Sequence, residues 1–67
     1  MKQQSDWMKG LLWAENYIQQ GVFFEGDETG VKSLQWEIDN CFDYDLKFLD
    51  YYNGAVDYLE YYKEMLL

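Results

Sequence analysis

Three Asp-Tyr pairs recur in the second half of the sequence at an interval of seven residues, at positions 43–44, 50–51 and 57–58. In a helix this interval aligns the acidic residues in one column, with successive carboxylates about 10 Å apart. Carboxylates of this kind bind lysine and arginine side chains through charge-assisted hydrogen bonds. The column therefore predicts a surface for a basic partner. Its members are Asp43, Asp50, Asp57 and Glu64, with Asp39 and Glu60 close beside it.

Aromatic residues accompany this acidic column. Tyr44, Tyr51 and Tyr58 form a parallel column at the edge of the apolar face of the same predicted helix. Tyr and Trp are enriched at protein interfaces because each combines a large apolar area with a polar end. Trp13 and Trp36 lie away from the centres of their predicted helix faces, so they too are expected to contact a partner. The candidate partner-binding residues are Asp39, Asp43, Asp50, Asp57, Glu60, Glu64, Tyr44, Tyr51, Tyr58, Trp13 and Trp36.

The usual catalytic and metal-binding patterns are missing from the sequence. Histidine is absent, so Ser5, Ser33 and Cys41 have no imidazole base to activate them. Paired carboxylates can hydrolyse glycosides, but a chain of 67 residues can hardly enclose a sugar. The segment GDETG lacks the ending of a phosphate-binding loop, and the acids within 39–45 lack the spacing of a calcium loop. We therefore expect no enzymatic activity, no metal and no cofactor.

The charge of the chain is strongly acidic. Thirteen Asp and Glu residues face five Lys, and the net charge is −8. Direct binding to nucleic acid or to an anionic membrane requires clustered Lys and Arg, so neither is expected. The apolar run GLLWA is too short for a signal peptide or a membrane span. Cys41 has no second cysteine with which to form a disulfide, which is typical of a reducing compartment and predicts a cytoplasmic protein.

The first half of the chain predicts a helix over 5–20 followed by an acidic loop over 21–29. Ser5 is a suitable N-cap, and Gly21 is a suitable residue just beyond the helix C-terminus. Apolar residues recur on one helical face at Trp7, Leu11, Ala14 and Ile18. Three glycines between positions 21 and 30 argue against regular structure there. The acidic tip of this loop is expected to be fully solvated, at Glu25, Asp27 and Glu28.

A second helical segment is predicted over 30–66, with Thr29 as its cap and a bend near 39–43 or 53–54. Asn53-Gly54 would favour a hairpin between strands. Here the apolar spacing continues undisturbed across Gly54, which favours one helix that contains a glycine, with a break at Gly54 as the alternative. The chain is therefore predicted to be a single all-α domain over 1–67, either a helical hairpin or a three-helix bundle with a long C-terminal helix.

Two segments, MKGLLWAENYIQQG and GAVDYLEYYKEML, make the chain resemble the small acidic proteins of bacteriophages. Many such proteins act against host defences, including anti-CRISPR and anti-restriction inhibitors. This resemblance implies an inhibitor of a host nuclease or nucleic-acid-binding complex in the bacterial cytoplasm. Several inhibitor classes act as DNA mimics, and the acidic column is the part that would match. Its spacing of about 10 Å is wider than that of phosphates along one strand, which favours electrostatic blocking over literal mimicry.

The expected function is thus a non-enzymatic inhibitor that binds a basic, nucleic-acid-handling host protein through acidic and aromatic residues. The alternative is a structural or adaptor protein that forms a homodimer or a larger assembly. In that case the wide Tyr/Leu face of the second helical segment would form the contact, because it is broader than the stripe that an ordinary surface helix buries. The acids would then serve solubility, and a regular amphipathic helix would account for the heptad spacing.

Overall fold

The computed structural model describes residues 5–41 and 49–67. These residues form three helices: α1 (Asp6–Gln20), α2 (Val31–Cys41) and α3 (Leu49–Met65). The described ranges contain no strand, and the helices pack as a small bundle whose longest member is α3. The predicted all-α fold is confirmed. None of the described helices is both long enough and apolar enough to cross a membrane.

Helix α1 begins and ends at the residues whose chemistry suits a helix terminus. The Ser5 hydroxyl accepts a hydrogen bond from the backbone N–H of Met8 at 3.1 Å, which satisfies one of the free donors of the first turn. Gly21 adopts a left-handed conformation with φ 71°, and its N–H donates to the Ile18 carbonyl. Glycine takes this conformation without steric cost, so the helix stops there.

The loop between α1 and α2 is held by Asp27, whose carboxylate caps the start of α2. Asp27 accepts hydrogen bonds from the backbone N–H groups of Gly30 and Ser33 and from the Ser33 hydroxyl, at 3.1, 2.8 and 2.6 Å. Thr29, the predicted cap, accepts a longer bond of 3.3 Å from Val31. The expectation that Asp27 is fully solvated was therefore wrong, because half-burial lets its carboxylate satisfy the helix terminus.

Helix α3 continues without interruption through Asn53-Gly54, so the alternative of a break at Gly54 was wrong. Continuation of the apolar spacing outweighs the intrinsic cost of a glycine inside a helix. Helix α2 ends at Cys41. The predicted bend near 39–43 and the connection between α2 and α3 extend into residues 42–48, which lie outside the described ranges.

The core lies where the three helices meet. Five apolar side chains are fully or almost fully buried, together with the hydroxyl-bearing Ser33. Small residues on α1 and α3 let the two helices approach closely, because both Gly10 and Gly54 are buried at their crossing. The larger side chains of α2 and α3 fill the remaining space. The buried apolar residues are Ala14, Leu34, Ile38, Ala55 and Leu59.

Candidate protein-binding surface

The carboxylates of α3 form an exposed surface, which we term the acidic face and define as Asp50, Asp57, Glu60 and Glu64. All four residues are solvent-exposed, although α3 packs against both other helices. The seven-residue spacing of three of them places their carboxylates about 10 Å apart along the helix axis. Asp43 and Tyr44, the remaining predicted members of the two columns, lie outside the described residues.

Asp57 is the member of the acidic face that is tied to the fold. The indole Nε1 of Trp7 donates a hydrogen bond of 2.6 Å to the Asp57 carboxylate, which joins α1 to α3 across a sequence separation of 50 residues. A carboxylate accepts more than one hydrogen bond, so Asp57 can still accept a second donor from a partner. The indole thus fixes the position of this carboxylate.

Lysines lie close to parts of the acidic surface, but only in exposed pairs. Lys63 Nζ lies 3.5 Å from Glu60, and Lys9 Nζ lies 3.9 Å from Asp6. Exposed pairs of this kind contribute little to stability and are readily exchanged for other partners. The Glu60 carboxylate therefore remains available to a cationic group of a partner.

The predicted tyrosine column is less exposed than an interface would require. Tyr51 and Tyr58 are half-buried. Loss of hydration raises the pKa of both phenols, and the nearby Glu15 carboxylate raises the pKa of Tyr58 further. The Tyr58 ring also stacks on Tyr62, with ring centroids 6.2 Å apart. These two tyrosines mainly join the helices.

Tyr61 is an exposed tyrosine beside the acidic face, and it stands outside the seven-residue spacing of Tyr44, Tyr51 and Tyr58. Its side chain is 58% exposed. Because it follows Asp57 by four residues and precedes Glu64 by three, it lies next to both on the helix surface. The sequence could have identified Tyr61 by its spacing from the acids rather than by its spacing from the other tyrosines.

The two predicted tryptophans have different environments. Trp13 is half-buried, packs against the core and lies with its ring centroid 6.0 Å from that of Tyr17. Trp36 is 49% exposed and contacts the Phe24 ring edge-on at a centroid distance of 5.6 Å. Trp36 therefore remains a candidate contact residue, whereas Trp13 mainly stabilises the fold.

The candidate residues of α2 lie beside a cleft rather than on the acidic face itself. Asp39 is exposed on α2, where it lines this cleft together with Trp36 and with Lys63 of α3. Lys63 also pairs with Glu60 at 3.5 Å, so the cleft borders one edge of the acidic face.

Within residues 5–41 and 49–67, no three Asp, Glu or Cys side chains come together in an arrangement that could hold a metal ion. No protein-family model, curated protein or solved structure matches the chain.

Proposed function

We propose that this chain is a non-enzymatic inhibitor that binds a basic, nucleic-acid-handling host protein through the acidic face of α3. The observation that carries the proposal is the exposure of Asp50, Asp57, Glu60 and Glu64 on a helix that also supplies Ala55 and Leu59 to the core. A chain with a net charge of −8 attracts a basic protein over several ångströms before contact. The inhibitory role comes from the resemblance to small phage proteins.

Binding has two components in this proposal. The carboxylates steer the encounter and pair with Lys and Arg residues that would otherwise contact phosphates. Tyr61 supplies the apolar contact, because its exposed ring lies between two of these carboxylates. The partner is thereby prevented from binding nucleic acid, and no chemical step is required.

Electrostatic blocking is a better description than exact DNA mimicry. The carboxylates of a heptad column are about 10 Å apart and lie on one straight line. Phosphates of a strand are closer together and follow a helical path. The acidic face consequently resembles nucleic acid in the sign of its charge but not in the spacing of its charged groups.

The proposal is tested by affinity capture from a bacterial lysate with the tagged protein at low and at high salt, followed by mass spectrometry. The expected result is a basic nuclease or DNA-binding complex that is released at high salt or by added DNA. Capture that resists both treatments, or recovery of the protein itself alone, would contradict the proposal.

A second candidate function is self-assembly through the wide Tyr/Leu face of α3. Exposed apolar side chains near both ends of this helix favour it: Leu49 is 50% exposed, Met65 56% and Leu66 47%. A contact formed by such residues should persist or strengthen as salt increases. Sedimentation velocity at low and high salt separates the two functions, because only self-assembly predicts a salt-resistant oligomer of the pure protein.

A further inference from the structure

The acidic face does not end at the edge of α3, because α1 continues the exposed surface beside it. The Trp7 indole of α1 donates its 2.6 Å hydrogen bond to Asp57 of the acidic face. Tyr61 lies at the same edge, since its ring centroid is 6.3 Å from that of Tyr58. Glu15 of α1 in turn lies close enough to Tyr58 to raise the pKa of that phenol. A groove between the two helices is therefore bordered by the acidic face on one side and by α1 on the other.

Exposed apolar side chains of α1 follow this groove. Met8, Leu12 and Glu15 are spaced at i, i+4 and i+7, which places them on one side of the helix. Because Glu15 lies beside Tyr58 of α3, this side of α1 borders the groove. Met8 and Leu12 are 36% and 38% exposed, and the adjacent Trp7 is 37% exposed. Large apolar side chains that are exposed together, beside polar residues, are typical of a surface that binds another protein.

The groove remains negatively charged when the neighbouring lysines are taken into account. Its carboxylates are those of the acidic face together with Glu15. Lys63 lies 3.5 Å from Glu60 and offsets one of them, whereas Lys9 lies 3.9 Å from Asp6 and offsets that residue instead. The remaining negative charge favours a basic occupant. A second copy of the chain is opposed, because it brings its own net charge of −8.

The spacing of the carboxylates selects a helix as the occupant. Asp50, Asp57 and Glu64 extend over about 21 Å, with about 10 Å between neighbours. Cationic side chains that recur every seven residues on a second helix have the same separation and share one side of that helix. In an extended strand, about 10 Å corresponds to three residues, and side chains three residues apart point to opposite faces. A basic helix of about four turns therefore matches all three carboxylates, whereas a strand does not.

We propose that this groove binds a basic amphipathic helix of the partner protein, with Lys or Arg at seven-residue intervals and a row of apolar side chains beside them. The cations pair with the acidic face, and the apolar row packs against Met8, Leu12 and Tyr61. A helix bound in a groove makes its contacts through side chains about one turn apart, which is the spacing of Met8 and Leu12. The inference rests on the proposed function, because it specifies which part of the basic protein the acidic face contacts.

The proposal is tested by NMR titration of the ¹⁵N- and methyl-¹³C-labelled protein with two blocked basic peptides of about 18 residues, a length sufficient for a short helix. Both peptides contain the same numbers of leucine, lysine and alanine residues. In the amphipathic peptide the leucines share one side of the helix and lysines recur every seven residues beside them. In the scrambled peptide the leucines are distributed around the helix. The amphipathic peptide should cause saturable shifts of the Met8 and Leu12 methyl groups and of the Trp7 indole N–H, and it should bind about tenfold more tightly than the scrambled peptide.

A matched pair of variants tests the contacts of α1. The double variant Met8→Gln/Leu12→Gln should bind the amphipathic peptide about tenfold more weakly and remain folded, because both residues are exposed and glutamine is a good helix former. The control Val22→Gln/Trp36→Gln removes two exposed apolar side chains from the loop and from α2, and it should bind as the wild type does.

Equal affinities for the two peptides, or unchanged affinity of Met8→Gln/Leu12→Gln, would overturn the proposal and leave the proposed function standing, because basic charge alone would then be sufficient. Absence of binding by both peptides would also overturn the proposal. So would shifts of the Met8 and Leu12 signals with protein concentration alone, because they would identify a second copy as the occupant. Failure of the proposed function is a separate result, in which affinity capture recovers no basic partner.

Discussion

Gly10 and Gly54 bring the backbones of α1 and α3 into direct contact. A methyl group on Gly10 would overlap the Tyr51 carbonyl, and one on Gly54 would overlap the Trp7 carbonyl. Both obstacles are backbone atoms, so no change of side-chain rotamer can relieve the overlap. The close approach of the two helices therefore depends on the absence of a side chain at both positions, and Gly54 acts as a contact point between them.

Replacement of Gly54 by alanine is expected to destabilise the fold. Helix propensity alone would favour alanine by about 1 kcal/mol. Separation of α1 from α3 should outweigh this gain and lower the free energy of unfolding by about 2 kcal/mol or more. Urea unfolding followed by circular dichroism measures the change. The neighbouring variant Asn53→Ala is the control, because Asn53 is an exposed residue of the same helix. A Gly54→Ala protein as stable as this control would contradict the close contact.

The hydrogen bond from Trp7 to Asp57 should appear as a coupling free energy of about 1 kcal/mol in a double-mutant cycle. The cycle compares the free energies of unfolding of Trp7→Phe, Asp57→Ala and the double variant with that of the wild type. Phenylalanine keeps an aromatic ring but removes the indole donor. Additive effects of the two substitutions would show that the 2.6 Å contact contributes nothing to stability.

Acid should weaken the fold through Asp27. Its hydrogen bond with the Ser33 side chain, and then those with the Ser33 and Gly30 amides, lower the pKa of Asp27 below the ordinary value of 3.8. A lowered folded-state pKa stabilises the fold above the pKa of the unfolded chain, and this stabilisation is lost as pH falls through the folded pKa.

The Asp27→Asn variant should lose this contribution at neutral pH and show a smaller decrease in stability below pH 3.8 than the wild type. Thermal unfolding between neutral and strongly acidic pH measures the difference. Glu25→Gln, at an exposed position of the same loop, is the control and should retain the wild-type pH dependence. If the stability of the wild type and of Asp27→Asn decreased equally at acidic pH, Asp27 would not be the cause of the acid sensitivity.

Substitution of Tyr61 should mainly weaken binding, whereas substitution of Trp13 should mainly destabilise the fold. Tyr61→Ala removes an exposed ring beside the acidic face, so it should weaken binding to the captured partner about tenfold with little change in unfolding. Trp13→Ala removes a ring packed against the core and should destabilise the fold by about 2 kcal/mol. Affinity measurements combined with urea unfolding distinguish the two effects. Full affinity in Tyr61→Ala would exclude this ring from the interface.

Local chemistry was sufficient to predict much of the fold. The cap formed by Ser5 and the left-handed Gly21 depend on neighbouring residues, so the bounds of α1 could be predicted from the sequence. The close backbone contacts of Gly10 with Tyr51 and of Gly54 with Trp7 could not, because they join residues 41 and 47 positions apart and form only when α1 packs on α3. The role of Asp27 was missed for a related reason, since its three donors come together only when the loop folds back on α2.

The candidate surface was predicted in part. Heptad spacing identified Asp50, Asp57 and Glu64, since residues of one column share a side of the helix. It could not show how far α1 covers the tyrosines, and burial of Tyr58 depends on that packing. Tyr61 was missed because it stands outside the seven-residue spacing, although its separations of four residues from Asp57 and three from Glu64 place it beside the acids.

The most direct test of the account is the affinity of the captured basic partner for two charge variants of equal net charge. Asp50→Asn/Glu64→Gln neutralises two members of the acidic face and leaves the bond between Trp7 and Asp57 intact. Glu25→Gln/Glu28→Gln removes the same charge from exposed positions of the loop. The account predicts at least tenfold weaker binding for the first variant and near wild-type binding for the second. Equal affinities for the two variants would contradict it, because net charge rather than the acidic face would then govern binding.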